Sequence, residues 1–527
     1  MIGAALFVLG ARAIHAATFA IANGDVAGLK IAIATANGNA QDDAIELAAG
    51  GIYTLTARDS FLNGLPAIAP DGGHKLTIHG HGATIERVPA VNDSAHRFRI
   101  FYNNSGANLT LSDLTITNGN PGAFHGGAIY NDGETADATL TISNCTLTGN
   151  SGDYGGAIFN DGYQDPSFPA HTATLTVLNS TISFNTGTQY GGGIWNESGG
   201  IVMNVSNCTF SQNSAVARSA GAIQFDGSSG TATGSISNCT FTENTAGNYG
   251  GAVNIDGFAG SGTLEITQCT FDQNSAKWGG GVAMDGTSGS AAVNVSNSTF
   301  SGNSATLLGG GIYLSTTGAG TTSLQIGNTI LAAGASGDNL TIAGGGTITS
   351  QGYNLSSDDA GGGAGTGPGG LLNHAGDQRN TDPLLDPSGL KDNVGPTMTI
   401  ALQAGSPAID QGKRNTISAS DHDQRGEPRP FDDPAVANAS GGDGSDIGAY
   451  EADVRITAQD RLVNDLRLTF TTTLGHNYEV QSTLDLILGP WTTVPGTLSV
   501  GTGGIVQVTI TNALIPPKVF YRVHQLP

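Results

Sequence analysis

The chain has 527 residues, of which 80 are glycine and only 12% are charged, and its formal net charge is -23. This acidic balance excludes an ordinary nucleic-acid binder, because no Lys/Arg stripe is present to neutralise phosphates. Helix formers are scarce after the N-terminus, whereas Gly, Ser, Thr and Asn are abundant. Such a composition favours short strands joined by tight turns.

The N-terminus indicates export. Residues 1–16, MIGAALFVLGARAIHA, are apolar and end in small residues, as the core and cleavage region of a secretory signal do, although a basic start is missing. This stretch is too short to span a membrane, and no later stretch is long and apolar enough. We therefore assign it to a signal-peptide remnant and expect no transmembrane segment.

A short helix is predicted next, over residues 27–37 (AGLKIAIATAN). It would cover the end of a stack of strands, where an unprotected first coil exposes strand edges and apolar side chains. The side chains expected to do so are Leu29, Ile31 and Ile33 or Ala34. We assign residues 17–120 to this cap and to the first, irregular coils.

A glycine cassette then recurs along the chain. Its clearest copies are YGGAIFNDG at 154–162, YGGGIWNES at 190–198, YGGAVNIDG at 249–257 and WGGGVAMDG at 278–286. The apolar residue after the glycines marks seven coils: Ile129, Ile158, Ile194, Ile223, Val253, Val282 and Ile312. The steps between these markers are 29 to 36 residues long. A repeat of this size indicates a solenoid.

One repeat unit, residues 139–162, divides into three strand-like pieces, each with apolar and polar residues in alternation. Three strands per coil predict an all-β, right-handed parallel β-helix, with regular coils over residues 121–355. Equivalent residues then stack into columns at about 4.8 Å per coil. One inward column is predicted to contain Leu147, Ile182, Phe210, Phe241, Phe271, Phe300 and Ile330.

Polar residues also recur at fixed positions. A cysteine column is expected to hold buried thiols, with a disulfide between neighbouring coils as the alternative: Cys145, Cys208, Cys239 and Cys269. Asparagines recur at two turn positions, where their amides can bond to turn backbone and to the next coil. An outward threonine column, from Thr146 to Thr329, is interpreted as a solubilising surface.

The residues after the cassette glycines provide the candidate ligand-binding site. Three successive coils place aromatic rings outward, beside carboxylates two residues further on: Tyr130, Phe159 and Trp195, with Asp132, Asp161 and Glu197. Rings against pyranose faces and acids that accept hydroxyl hydrogen bonds are typical of sugar-binding faces. The alternative is that the stacked rings only protect the surface of the sheet.

The acidic column continues through Asp226, Asp256 and Asp285, most of them followed by glycine. Asp-Gly is a turn signature in its own right. Stacked carboxylates repel, however, so they either spread into solvent or hold cations between them. Calcium is the candidate metal, because it takes oxygen ligands in irregular geometry. No cofactor is otherwise required.

Catalysis is not expected. Acid pairs at glycosidase spacing occur in any acidic solenoid column, so their presence alone indicates nothing. The basic residues near these coils, which a lyase would need, do not share one column: His125, His171, Arg218 and Lys277. A polysaccharide lyase or glycoside hydrolase acting on the acidic and aromatic face stays open as the alternative.

The repeats resemble those of a known family. The pairing of GGAI or GGGI with FSQN, FTEN, FDQN and FSGN is similar to the repeats of chlamydial polymorphic outer-membrane proteins. That resemblance covers roughly residues 114–331 and implies a surface adhesin. It also occurs in many secreted bacterial β-helix proteins.

The C-terminal part divides into two regions. Residues 356–453 begin with a Gly-rich run, read as a flexible loop, and continue with TDPLLDP, DQRGEPRP and DIGAYE, which resemble the choice-of-anchor Q region of bacterial β-helix proteins. That resemblance implies export and display. The charged residues themselves favour a salt-bridged cap, with a calcium site as the alternative. Residues 454–527 predict a small antiparallel β-domain, similar to C-terminal modules of secreted proteins that end in FYRV-like strands.

Together these features predict an exported bacterial β-helix protein, secreted or at the cell surface, that is adhesive or glycan-binding without catalysis. Its expected partners are polysaccharides or cell-surface glycans. The first alternative is the carbohydrate-active enzyme described above. The second is a structural matrix protein that associates with itself.

Overall fold

The computed structural model describes residues 16–526 apart from 89–95, 164–170, 198, 229, 419, 434–435, 453, 455, 473–475, 485–488, 503–504 and 515–518. The predicted signal sequence lies outside the described residues, except for its last position. Almost all regular structure is β, and the predicted parallel β-helix is confirmed. No helix in the described part of the chain is long and apolar enough to cross a membrane.

One face of the solenoid is a parallel nine-stranded sheet, which we call the cassette sheet because its strands follow the glycine cassettes. Each strand pairs in register with its equivalent in the next coil, so that Ile158 lies between Ile129 and Ile194. Its strands are Phe101–Asn103, Ile129–Asp132, Ile158–Asp161, Ile194–Glu197, Ile223–Asp226, Val253–Asp256, Val282–Asp285, Ile312–Thr316 and Leu340–Gly344.

The remaining faces form one continuous network of 26 strands. The first group follows the cassette strand in each coil that has one, and begins with three strands that precede the first cassette strand: Thr18–Ile21, Asp43–Leu47, Lys75–Arg87, Asn108–Thr117, Ala138–Ser143, Ala173–Leu178, Gly200–Ser206, Thr231–Ser237, Ser261–Thr267, Ser290–Ser296, Thr321–Gly327 and Thr347–Ser350. The second group comes after a bend: Ile52–Leu55, Thr146–Thr148, Thr181–Ser183, Thr209–Ser211, Thr240–Thr242, Thr270–Asp272, Thr299–Leu308, Ile330–Ala333 and Leu355–Ser356. Five coils add a short segment before the cassette: Ser151–Tyr154, Thr186–Tyr190, Ser214–Ala215, Thr245–Ala246 and Ser275–Trp278.

Asparagines make the bends between these groups, as predicted. Asn144 has a φ of 53°, the left-handed conformation that asparagine tolerates better than most residues. The second asparagine column is buried and bonds from coil to coil: the Asn185 amide donates to Asn213 Oδ1 at 3.0 Å and to the Leu147 carbonyl at 2.9 Å. Polar groups inside the turns are therefore paired.

Apolar columns fill the interior. The stacked rings of Phe210, Phe241, Phe271 and Phe300 lie 4.5 to 4.8 Å apart. The column prediction is wrong in its last coil, where Leu331 rather than Ile330 pairs with Phe300, because the chain there is displaced by one residue. All four cysteines are buried free thiols, as predicted.

The N-terminal cap is the helix Val26–Ala36, followed later by a short 3-10 turn at Asp71–Gly73. Asp25 caps the helix by accepting from the Gly28 backbone N–H at 2.8 Å. Leu29, Ala32, Ile33 and Ala36 are buried against the first coil. Ile31 was expected to join them but is 67% exposed, because it lies on the opposite side of the helix.

After the last coil the closing region runs back over the side of the solenoid. Its Gly-rich loop is anchored, since the buried Arg379 side chain donates to the carbonyls of Asp359, Gly363 and Gly367 at 2.8 to 3.2 Å. Further on, Gln424 donates to Thr240 Oγ1 at 3.0 Å and accepts from Thr270 Oγ1 at 2.6 Å. The closing region, residues 356–453, was expected to form a cap. It lies instead along the side of four coils, and we call it the strap.

Buried ion pairs hold this strap together. Arg429 lies 2.8 Å from Glu451, and Arg425 lies 2.7 Å from Asp423. The strap also closes part of the threonine column, because Thr240, Thr270 and Thr299 are buried beneath it while Thr146, Thr181 and Thr209 stay partly exposed.

The C-terminal domain has its own antiparallel sheets and its own core, as predicted. One sheet contains Ile456–Leu462, Asp465–Thr471 and Ile505–Ile510. The other contains Asn477–Thr483, Thr492–Thr493, Ser499–Val500 and Phe520–Leu526.

Candidate functional site

The six predicted ligand-binding residues come together on the outer side of the cassette sheet. Phe159 pairs with Tyr130 on one side and Trp195 on the other. Asp161 pairs in the same way with Asp132 and Glu197. The Tyr130 and Phe159 ring centroids are 4.8 Å apart. The spacing of the repeats therefore predicted correctly which of these residues are neighbours in adjacent coils.

Two of the three aromatic rings are less exposed than predicted. Phe159 is 1% exposed and Trp195 is 6% exposed, although both point away from the solenoid core. A second layer of rings covers them. His125 stacks on Phe159 at 4.8 Å, while Tyr154 and Tyr190 meet Trp195 edge-on at 4.7 and 4.6 Å. A ligand on this face meets the covering rings first.

The covering rings occupy one position of the repeat, immediately before the cassette glycines. We call the aromatic members of this position the cassette row: His125, Tyr154, Tyr190, Tyr249 and Trp278. All five are partly exposed. Successive ring centroids are 4.5 Å apart for His125 and Tyr154, 5.8 Å for Tyr154 and Tyr190, and 4.8 Å for Tyr249 and Trp278. This row was not predicted from the sequence, although the aromatic residue that begins each cassette indicates it.

Planar and charged side chains lie beside the row. The residue before the ring, or before Ser219 in the coil that has no ring, is polar in five coils, and these residues form what we call the polar column: Asp153, Gln189, Arg218, Asn248 and Lys277. In the first coil of the row the residue before His125 is Phe124. Arg218 lies over the Tyr190 ring at 5.5 Å and donates to its hydroxyl at 3.0 Å. Asp153 accepts a hydrogen bond from the Thr188 hydroxyl. Rings and hydrogen-bonding groups thus run side by side along the axis.

The aspartates of the acidic column make turns. In each, Oδ1 accepts from the backbone N–H two residues later at 2.8 to 3.0 Å, in Asp132, Asp161, Asp226, Asp256 and Asp285. The remaining oxygen of Asp132 accepts from the Tyr102 hydroxyl, and that of Asp161 from the Tyr130 hydroxyl. The turn interpretation therefore accounts for these five residues.

Burial dominates the electrostatics of this column. Burial, with the neighbouring Asp161 and Asp226 carboxylates, raises the pKa of Glu197 to about 8. Burial also raises the pKa of Asp161 to about 6 and, with Asp226 nearby, that of Asp256 to about 7. Glu197 is accordingly protonated near neutral pH. Beside them, Arg99 lies over the Tyr130 ring at 4.9 Å, and burial lowers its pKa to about 10.

The calcium prediction for Asp226, Asp256 and Asp285 gains no structural support. Within the described ranges, no group of three or more His, Cys, Asp or Glu side chains is placed to hold a metal ion. One oxygen of each of the three aspartates is already used in its turn. Calcium binding stays a prediction.

A family model described as a right-handed beta helix region matches residues 100–330. These residues are the coils that carry the cassette row, so sequence comparison and geometry agree that this is a β-helix repeat protein. No curated protein matches the chain.

Proposed function

We propose that this chain is an exported bacterial β-helix protein of the cell surface or extracellular matrix, which binds polysaccharides or cell-surface glycans without catalysis. The observation that carries the proposal is the double layer of rings on the cassette sheet, with the cassette row on its outer side. The resemblance of the repeats to chlamydial surface adhesins, and of the closing region to choice-of-anchor Q regions, supports surface display.

Physical chemistry favours a sugar ligand on this face. Aromatic rings pack well against the apolar faces of pyranoses, and planar polar side chains pair with their hydroxyls. The cassette row supplies the first and the polar column supplies the second. Both recur at the coil spacing of about 4.8 Å, except that Ser219 takes the place of a ring in one coil, so a polymer along the axis meets similar groups at most steps.

A panel of polysaccharides and cell-surface glycans tests the proposal. We expect the full chain to retain at least one of them in affinity electrophoresis or on a glycan array, and to release no product from it. Absence of binding across the panel would contradict the proposed function. The control is the same panel with the chain unfolded by heat.

The enzyme alternative is favoured by one observation, the pairing of Glu197 with Asp161 in adjacent coils, at a place where burial raises the pKa of Glu197 to about 8. A buried carboxylic acid next to a carboxylate suits general acid catalysis of glycoside cleavage. Reducing ends or unsaturated uronates that appear with the wild type and not with Glu197→Gln would establish this alternative. We expect neither.

A further inference from the structure

We infer that the cassette row is a two-part platform on which a neutral, unbranched polysaccharide lies along the solenoid axis. This inference rests on the proposed function and adds the class of ligand and its path. It also assigns binding roles to side chains outside the predicted strip.

The row divides into two ring platforms. His125, Tyr154 and Tyr190 form the first, and Tyr249 and Trp278 form the second. Between them the same position is held by Ser219, which is buried and carries no ring. The backbone stays in register on either side, since Tyr154 pairs with Tyr190 and Tyr249 with Trp278. A straight polymer can therefore cross from one platform to the other.

The polar column indicates a neutral ligand. Its members mix one acid, two amides and two cations, and Arg218 already bonds to the Tyr190 hydroxyl. The whole chain is strongly acidic, with a net charge of -23. This charge repels an acidic polysaccharide at long range, whereas neutral hydroxyls can both donate to the acid and amides and accept from the cations.

A buried donor beneath the first platform points to a ligand or water oxygen. Trp195 Nε1 has no hydrogen-bond partner in the described part of the chain, although Trp195 is only 6% exposed. The edges of Tyr154 and Tyr190 pack around this indole. Buried N–H groups are usually paired, so an acceptor between these rings is expected.

The platforms predict how affinity depends on ligand length. Five coil steps separate His125 from Trp278, about 24 Å along the axis, and two steps, about 10 Å, span the first platform. Affinity should rise with oligosaccharide length to a first plateau, and rise again once the chain reaches Tyr249. Beyond Trp278 further length should add little.

Calorimetry with a size series of oligosaccharides, made from a neutral polysaccharide that the wild type retains, tests this inference. Tyr154→Ala should weaken all lengths by roughly 2- to 12-fold, the value of one aromatic contact. Tyr249→Ala should weaken only the long members. Tyr190→Phe should keep most of the affinity, since its ring remains.

The matched control is Phe184→Ala, which removes a ring that is 59% exposed and lies outside the row. Circular dichroism checks that each variant is folded. A preference for acidic polysaccharides, affinity independent of length, or row variants that behave like the control would overturn the inference and leave the proposed function standing. Absence of any glycan binding by the wild type would overturn both.

Discussion

Single buried asparagines connect each coil to the next. Asn213 donates to the Ile182 carbonyl at 2.8 Å and to Asn244 Oδ1 at 3.0 Å, and its own Oδ1 accepts from the Asn185 backbone and side chain. Removing this one amide takes the hydrogen-bond partner from two buried groups, the Asn185 backbone N–H and the Ile182 carbonyl. Each such group costs about 1–3 kcal/mol.

We therefore predict that Asn213→Ala lowers the free energy of unfolding by about 3 kcal/mol, the cost of one or two unpaired buried groups. Urea unfolding measures it. Asn204→Ala is the control, because that side chain is exposed and its Oδ1 accepts from the Ser235 hydroxyl at the surface. Equal losses in the two variants would argue against the role of burial.

Glu197 makes stability depend on pH. Its pKa is raised from 4.5 to about 8, so the folded chain binds a proton that the unfolded chain has lost. The stability that this proton contributes is fully present below pH 4.5 and is lost as the pH rises through about 8.

The isosteric variant Glu197→Gln should therefore gain stability relative to the wild type as the pH rises from 4.5 to about 8, by roughly 2–4 kcal/mol in total. Denaturant unfolding of both proteins at a series of pH values gives the difference curve. The raised pKa values of Asp161 and Asp256 make stability depend on pH in both proteins. Their contributions therefore largely cancel in the difference between the two. A difference in stability that does not change with pH would contradict the raised pKa of Glu197.

At the scale of strands and turns, the repeat pattern predicted the coils, the inward columns and the neighbours of Trp195. Strand pairing within a repeat is fixed by register, which sequence spacing reveals. Exposure is different, because it depends on whatever packs above the sheet. Phe159 was expected on the surface, and only the structure shows His125 stacked on it.

The repeat pattern likewise did not reveal that the strap covers part of the coils. Thr240 and Thr270 read as an outward column, yet a segment more than 150 positions away in the chain covers them through Gln424. Such long-range contacts leave no periodic signal. The sequence did indicate a salt-bridged cap from its charged runs DQRGEPRP and DIGAYE. These runs supply the ion pairs within the strap.

Gln424→Ala should release the strap from the coils. The variant loses bonds to Thr240, Thr270 and Thr397, all of which are buried. We expect faster proteolysis of the closing region and a loss of about 2–4 kcal/mol in unfolding free energy. Gln411→Ala is the control, since its amide bonds only to the exposed Ala437 carbonyl. Digestion at the wild-type rate would show that the strap does not depend on Gln424.

At the scale of the whole molecule, both ends of the coil stack need protection. An open first coil would expose the strand Thr18–Ile21 and the apolar interior to other chains. The closing region and its apolar cluster cover the coils at the other end. Elements outside the regular coils therefore protect both ends of the stack that carries the cassette sheet.

The cap helix offers a matched pair of variants. Leu29 is fully buried against the first coil, whereas Ile31, two residues away, is 67% exposed. Leu29→Asp places a charge in an apolar cluster, so the helix should detach and chains should associate through the exposed strand edge. Light scattering over a range of concentrations should show growth for Leu29→Asp and none for Ile31→Asp. A monomeric Leu29→Asp with wild-type melting would show that the first coil does not need the helix.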